Sequence, residues 1–309
     1  MNSLPNFFVP HTWATTSIQD ALASDNPTLQ VDSRPTRLVT INVADIANPR
    51  IAHWDDFDLY SLRQAYGDLL EQYPVPRVAM PRYPLECNRV NQLKGIFIDH
   101  VFPRLAQPIK TGATVLEDRL GHGLPDVSMG SDTQVEGHYR SGLSLTSSDG
   151  VEHYLVSCVL METQWTSAMV ESAENSGHIT CLPLRRVAAY CVSTDTRYGF
   201  VLTPGEIVVV RVSGTAHDKT QPCLIEWKAV PWGASGPNTL TVSLSLWFIA
   251  MMSLNPTQRK LCPPGTTHPV NLWWKYRDPT ATVTYQHHLS LRQVVHPLPG
   301  VIVQDAPSA

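Results

Sequence analysis

Apolar residues recur at helical spacing in four segments of the chain. They predict helices at about 57–72, 85–103, 183–193 and 239–254. One face of the second helix would carry Glu86, Val90, Leu93, Phe97 and His100. This spacing predicts that Glu86 starts a mostly apolar stripe and points towards the core. The fourth helix is apolar on nearly every side, so we expect it to be packed between layers.

Short apolar runs bounded by turn signals predict strands. They lie at 124–129, 154–161, 197–202, 206–212 and 223–230, and 38–43 is a further candidate edge strand. The tight Thr203-Pro204-Gly205 turn predicts a hairpin between the third and fourth strands. Residues 131–152 are expected to form a loop. The tail, 272–296, alternates polar and apolar residues but offers no assignment.

This order of elements predicts an α/β (α+β) fold with a mixed central sheet flanked by helices. We expect an N-terminal extension (1–84) packed on a core (85–255) and a C-terminal extension (256–309). At 43% hydrophobic and 16% charged residues, the chain can bury a sizeable core. The net charge of −4 argues against a basic surface that would attract nucleic acid.

The cysteines and the N-terminus indicate the compartment. Six cysteines have no metal-binding spacing, so we expect reduced, mostly buried thiols. Residues 1–14 do not resemble a secretory signal, and the most apolar stretch, 240–254, is shorter than a membrane span. We therefore expect a cytoplasmic protein without a membrane span. No nucleotide-binding motif is present, so no cofactor is expected.

The order of helices and strands resembles the restriction-endonuclease-like core of the PD-(D/E)XK superfamily. Pro125-Asp126 matches the P-D motif, and Glu162-Thr163-Gln164 matches E-x-K with glutamine in place of lysine. Glu86 matches the acidic residue that the first helix of the family often carries. Residues 196–200 and 244–252, with Pro231-Trp232 between them, are similar to a group of fungal proteins assigned to this superfamily.

The resemblance implies that Asp126 and Glu162 bind a divalent metal and that residue 164 orients or activates the attacking water. Mg²⁺ prefers such hard oxygen ligands and neutralises charge on the scissile phosphate. Gln164 is neutral, however, and an acidic protein lacks most of the charge with which nucleases bind phosphates. These departures favour the fold over the nuclease activity.

Three functions stay open. The leading hypothesis is a repurposed nuclease-like fold that binds an apolar small molecule, as a cofactor-free cyclase of the Diels–Alder type in fungal natural-product biosynthesis. Such an enzyme holds reacting carbons in place while hydrogen-bond donors polarise a carbonyl. The alternatives are a Mg²⁺-dependent nuclease using Asp126, Glu162 and Gln164, and an inactive interaction module. A homodimer is compatible with each of them.

The leading hypothesis assigns roles to individual residues. Its catalytic residues would be Glu162, Gln164, Asp126, Arg197 and Tyr198, of which Gln164, Arg197 and Tyr198 are the donors. We expect Arg197 and Tyr198 to lie at the same edge of the sheet as Glu162. Trp165, Glu86 and Trp232 would bind the substrate. The hypothesis requires an apolar pocket beside Gln164.

Overall fold

The structure is a computed structural model that describes most of the chain. The described residues are 14–32, 46, 49–136, 139–173, 178–218, 220, 223–277 and 283–307. The predicted strand at 38–43 lies outside them.

Strands and helices alternate along the described chain. The strands are β1 (Thr15–Ser17), β2 (Leu29–Gln30), β3 (Arg50–His53), β4 (Pro74–Pro76), β5 (Leu85–Glu86), β6 (Val127–Glu136), β7 (Tyr139–Ser147), β8 (His153–Val159), β9 (Tyr198–Leu202), β10 (Glu206–Ser213), β11 (Leu224–Pro231), β12 (Leu272–Arg277), β13 (Val283–His287), β14 (Gln293–Val294) and β15 (Ile302–Asp305). The α-helices are α1 (Ile18–Leu22), α2 (Leu59–Gln72), α3 (Val90–Ile96), α4 (Phe102–Leu120), α5 (Ala168–Glu171), α6 (Leu182–Thr194), α7 (Val242–Leu254) and α8 (Pro256–Arg259). A π-helical turn, Phe97–Val101, joins α3 to α4.

A seven-stranded mixed sheet forms the centre of the fold, in the order β3-β11-β10-β9-β8-β7-β6. From β6 to β8 and from β9 to β11, each strand runs antiparallel to the one before it. The strands β8 and β9 are parallel and are connected through α6, as a parallel pair requires. The fold class is therefore mixed α/β, with a large mixed sheet flanked by helices.

Helices cover both faces of this sheet because its central strands are apolar on both sides. Along β10, Val209 packs in the core that contains α7, whereas Val208 and Val210 pack in the core that contains α6. Every residue of α7 is buried, as its uniform apolarity predicts. α7 also packs against α4, which forms an outer layer on that side.

Most predicted elements are confirmed. The helices at 57–72, 183–193 and 239–254 are α2, α6 and α7, and the predicted hairpin is β9–β10. The expected loop at 131–152 is wrong, because most of this segment forms the long hairpin of β6 and β7. Five of the six cysteines are buried, and all six are free thiols.

The predicted helix at 85–103 is wrong at both ends. Leu85 and Glu86 form β5, which pairs with β2, so the helix begins only at Val90. Glu86 is exposed in this short strand and does not point towards the core. The tertiary pairing overrides the helical spacing. At the other end, the helix continues through Pro103 and Pro108 to Leu120.

The two extensions take part in separate sheets. From the N-terminal part, β3 joins the main sheet as an edge strand parallel to β11. The C-terminal part forms a four-stranded sheet in the order β14-β13-β12-β15. Among the described residues, no helix combines the length and the apolar character that crossing a membrane requires.

Candidate functional site

The structure places Asp126 and Glu162 at opposite ends of the main sheet. The Asp126 carbonyl accepts a hydrogen bond from Ser148 N, next to the end of β7 that pairs with the start of β8. Glu162 follows the other end of β8, and that strand of seven residues is about 20 Å long. The expectation that these two carboxylates meet at one metal ion is therefore wrong.

Glu162 and Gln164 lie in a turn after β8 and do not share a strand face. The Glu162 carboxylate is exposed and lies beside Gly205, where an added Cβ atom would be 3.1 Å from it. Gln164 is buried, and its Oε1 accepts a hydrogen bond from Met161 N at 2.9 Å. Gln164 therefore closes the turn that follows β8.

Arg197 and Tyr198 lie at the start of β9, at the opposite end from Glu162, because β8 and β9 are parallel. The expectation that they share the edge with Glu162 is therefore wrong. The Arg197 guanidinium is buried and donates to the Lys260 carbonyl and to Gln258 Oε1. Tyr198 is buried and stacked on Trp54. Both side chains are therefore engaged in contacts within the protein.

The two predicted tryptophans of the substrate pocket are structural as well. Trp165 is buried and donates its indole N–H to the Thr180 carbonyl at 2.6 Å. Trp232 is buried and donates to the Pro27 carbonyl at 2.9 Å. Trp165 and Trp232 lie in the two separate cores on opposite faces of the main sheet, so the three predicted substrate-binding residues do not form one pocket.

Two serines connect β7 to the second half of β8 through their side chains. Ser141 Oγ accepts from Ser157 N, and Ser157 Oγ accepts from Leu143 N, at 2.8 and 2.7 Å. Both serines are fully buried and replace backbone hydrogen bonds of the sheet.

Within the described part of the chain, no three His, Cys, Asp or Glu side chains are grouped so that they could hold a metal ion.

One predicted residue, Asp126, does line a cleft. This cleft of about 660 Å³ lies between α4 and the first residues of β6, which we call the α4–β6 cleft. It is lined by Phe102, Ala106, Gln107, Ile109, Lys110, Ala113, Thr114, Glu117, Leu124, Pro125, Asp126, Val127, Ser128, Met129 and Ser148. Its volume falls in the range of about 300–1,000 Å³ that is typical of small-molecule sites.

The helix wall of the cleft follows from the periodicity of α4. Phe102, Ala106, Ala113 and Glu117 recur at spacings of four or seven residues and share one face. A neighbouring face, which includes Leu105 and Gly112, packs towards α7. α4 thus contributes both to the core and to the cleft.

The strand wall is attached to the helix by a capping contact. α4 ends at Gly121, whose φ of 75° is left-handed. Glu117 Oε1 then accepts a hydrogen bond from Leu124 N at 2.7 Å. This contact holds the Leu124–Pro125–Asp126 segment at the last turns of the helix. It brings Asp126 to one end of the cleft.

The cleft combines apolar walls with ionisable groups that have no protein partner. Neither the Lys110 ammonium nor the Asp126 carboxylate forms an ion pair or a side-chain hydrogen bond with any described residue. By contrast, Lys94 pairs with Asp132 and Arg119 pairs with Asp68. Lys110 and Asp126 are therefore free to interact with a ligand, whereas the third ionisable group, Glu117, accepts the hydrogen bond from Leu124 N.

The sequence contains a pattern that points to this cleft. It was missed because the helix was predicted to end at residue 103. Beyond Pro103, Leu105, Ile109, Gly112 and Leu116 recur at helical spacing. Proline is tolerated in the first turn of a helix, and Pro103 lies at that position of α4. Extending the helix would have placed Lys110 and Glu117 on one face. Their position opposite Asp126 depends on the tertiary fold.

Comparisons of the chain with protein-family models, with curated proteins and with solved structures gave no match.

Proposed function

We propose that the protein binds a small, mainly apolar molecule in the α4–β6 cleft. The observation that carries this proposal is a cleft of about 660 Å³ with an apolar wall and two oppositely charged side chains that pair with no described residue. Ligand sites typically combine such an apolar lining with a few polar groups that orient the ligand. The apolar wall supplies affinity, and the charged groups supply orientation.

We also propose that the surrounding fold is a restriction-endonuclease-like core that no longer serves a nuclease. Its support is the order of elements: α4, the strands β6, β7 and β8, the helix α6 and then β9. The helices and strands follow one another in the predicted order, except that β7 is an additional strand between β6 and β8. The separation of Asp126 from Glu162 removes the observation that would favour a metal-dependent nuclease.

The reaction compatible with this cleft is a cofactor-free cyclisation of the bound molecule. Apolar walls such as Ala113 and Met129 can hold a flexible chain in a reactive geometry. Lys110 replaces Gln164, Arg197 and Tyr198 as the candidate donor to a substrate carbonyl, because those three are engaged within the protein. Binding is the primary proposal, and cyclisation depends on it.

Titration with anilinonaphthalene sulfonate, a fluorescent apolar anion, tests the binding proposal. We expect one saturable site per chain at neutral pH. Ala106→Trp should abolish this binding, since Ala106 lines the cleft and a large side chain there would fill it. Ala168→Trp is the matched control, because Ala168 is an exposed helical alanine outside the cleft.

Both variants should retain the wild-type circular dichroism spectrum and melting temperature to within a few degrees. Unchanged dye binding by the folded Ala106→Trp variant would show that the cleft is not the site.

A further inference from the structure

The charged groups of the α4–β6 cleft are arranged with opposite signs at different positions along its length. Lys110 and Glu117 are seven residues apart on α4, which corresponds to about 10 Å along the helix axis. Because long helical side chains cover the turn before their own Cα atom, we expect the Lys110 ammonium to lie nearer to Ala106 than to Glu117. Glu117 contacts Leu124 N, two residues before Asp126. One end of the cleft is therefore cationic and the other is acidic.

Apolar surface separates these two ends. Ala113 lies between Lys110 and Glu117 on the helix, and Val127 and Met129 face the cleft from β6. These strand residues are partly buried against the core below the cleft. A ligand that crosses from one end to the other therefore needs an apolar body.

We propose that the natural ligand of this cleft is dipolar: an apolar chain or ring system with an anionic group at the Lys110 end and an amine at the Asp126 end. The inference rests on the proposed binding function and names its ligand class. A purely anionic molecule would leave the acidic end unpaired, and a purely cationic molecule would leave Lys110 unpaired. A dipolar molecule satisfies both ends.

Four probes with the same eight-carbon chain distinguish these classes: aminooctanoate, octanoate, octylamine and octanedioate. The chain is about as long as seven helical residues. Each probe is titrated against the protein loaded with anilinonaphthalene sulfonate, and displacement of the dye is measured. Aminooctanoate should displace the dye at an about five-fold lower concentration than octanoate or octylamine, as expected for one additional exposed ion pair. Octanedioate should be the weakest probe.

Two variants assign the ends. Lys110→Met should reduce aminooctanoate to the affinity of octylamine, and Asp126→Asn should reduce it to that of octanoate. The matched controls are Lys260→Met and Asp118→Asn, since both residues are exposed and lie outside the cleft. The controls should preserve the wild-type order of the probes.

The outcomes separate the two proposals. If the dye binds in the cleft but aminooctanoate is no better than octanoate or octylamine, the dipolar ligand is excluded while the binding function stands. The dipolar ligand is also excluded if Lys110→Met and Asp126→Asn leave the order of the probes unchanged. If Ala106→Trp leaves dye binding intact, the proposed function itself fails and this inference fails with it.

Discussion

Two buried arginines of the main fold differ in how their charge is compensated. Arg211 forms two hydrogen bonds with the Glu226 carboxylate, at 2.8 and 2.7 Å, and lies 4.6 Å from the centre of the Trp54 ring. Arg186 has no carboxylate partner among the described residues. Its Nη1 lies 3.7 Å from Cys158 Sγ, and its buried Nε has no hydrogen-bond partner there. The same residue type therefore contributes differently to stability at the two positions.

Replacing these arginines by methionine should have unequal effects. Arg211→Met leaves Glu226 without its partner and should lower the free energy of unfolding by about 3–5 kcal/mol. Arg186→Met removes a poorly compensated charge and keeps an apolar stem, so the change should be about 1 kcal/mol or less, in either direction. Urea denaturation at neutral pH measures both values. Equal losses in the two variants would contradict this interpretation.

The same reasoning explains why the candidate site residues were hard to predict from the sequence. Gln164 matches the last position of the E-x-K motif, and Arg197 opens the predicted strand at 197–202. Each is buried because it completes hydrogen bonds to backbone groups, and the Lys260 carbonyl that Arg197 binds is distant in the sequence. Asp126 falls inside the strand predicted at 124–129, whereas β6 begins one residue later, at Val127, and most of the other residues that line its cleft come from α4. Residue type alone does not distinguish a ligand contact from a structural one.

At the scale of elements, the close approach of α4 and α7 depends on a missing side chain. A Cβ atom at Gly112 would lie 2.6 Å from Met251 Sδ and 3.4 Å from Trp247, both in the buried helix α7. At Gly67, in α2, a Cβ atom would have no other described residue within 4 Å beyond the neighbouring backbone of its own helix. The two helical glycines thus form a natural comparison.

Alanine substitutions should separate helix propensity from packing. Gly67→Ala should raise the free energy of unfolding by up to about 1 kcal/mol, because alanine loses less backbone entropy in a helix. Gly112→Ala gains the same propensity but overpacks a contact with side chains that are fully buried, and we expect a net loss of about 1 kcal/mol. Urea denaturation of both variants tests this. A gain at Gly112 that equals the gain at Gly67 would show that the helices can move apart freely.

The spacing of apolar residues predicted those helices and strands that have an apolar face in their own sequence. α2, α6, α7 and the β8–β11 strands lie where their patterns place them. The start of α3 at Val90 and the strand β7 were missed for a different reason. β5 depends on pairing with β2, and β7 carries buried serines where a strand pattern would carry apolar residues. The local sequence does not show which strand a segment will pair with. It also does not show where a side chain will take the place of a backbone hydrogen bond.

For the whole molecule, two histidines lie where the C-terminal sheet meets the core. His287 Nε2 and His288 Nε2 contact the Val270 and Pro269 carbonyls, each at 2.8 Å. Burial lowers the pKa of His287 well below its ordinary value and lowers the pKa of His288 to about 3. Both imidazoles are therefore neutral in the folded protein near neutral pH.

This arrangement makes the stability of the protein depend on pH. The unfolded histidines, with pKa values of about 6.5, bind protons that the folded ones do not, so stability is lost as the pH falls below about 6.5. Between pH 7 and pH 5, the free energy of unfolding should decrease by about 2 kcal/mol because of His288, and the lowered pKa of His287 adds to this decrease in the same direction.

Denaturation curves at both pH values measure this decrease. His288→Gln should reduce it by about 2 kcal/mol, whereas His296→Asn, at an exposed histidine, should leave it unchanged. An identical pH dependence in wild type and His288→Gln would contradict the proposed role of this residue.

The π-helical turn at Phe97–Val101 has a consequence for how the chain can change in length. Such a turn contains one residue more than an α-helical turn, so its five residues wind the chain about as far as four α-helical residues do. Deleting one residue there would restore α-helical winding and keep the faces of α4 in place relative to α3. Lys110 and Ala113 would stay in the cleft wall, and Leu105 and Gly112 would still pack towards α7. The same deletion inside α4 would instead turn every later residue of the helix by about 100° about its axis.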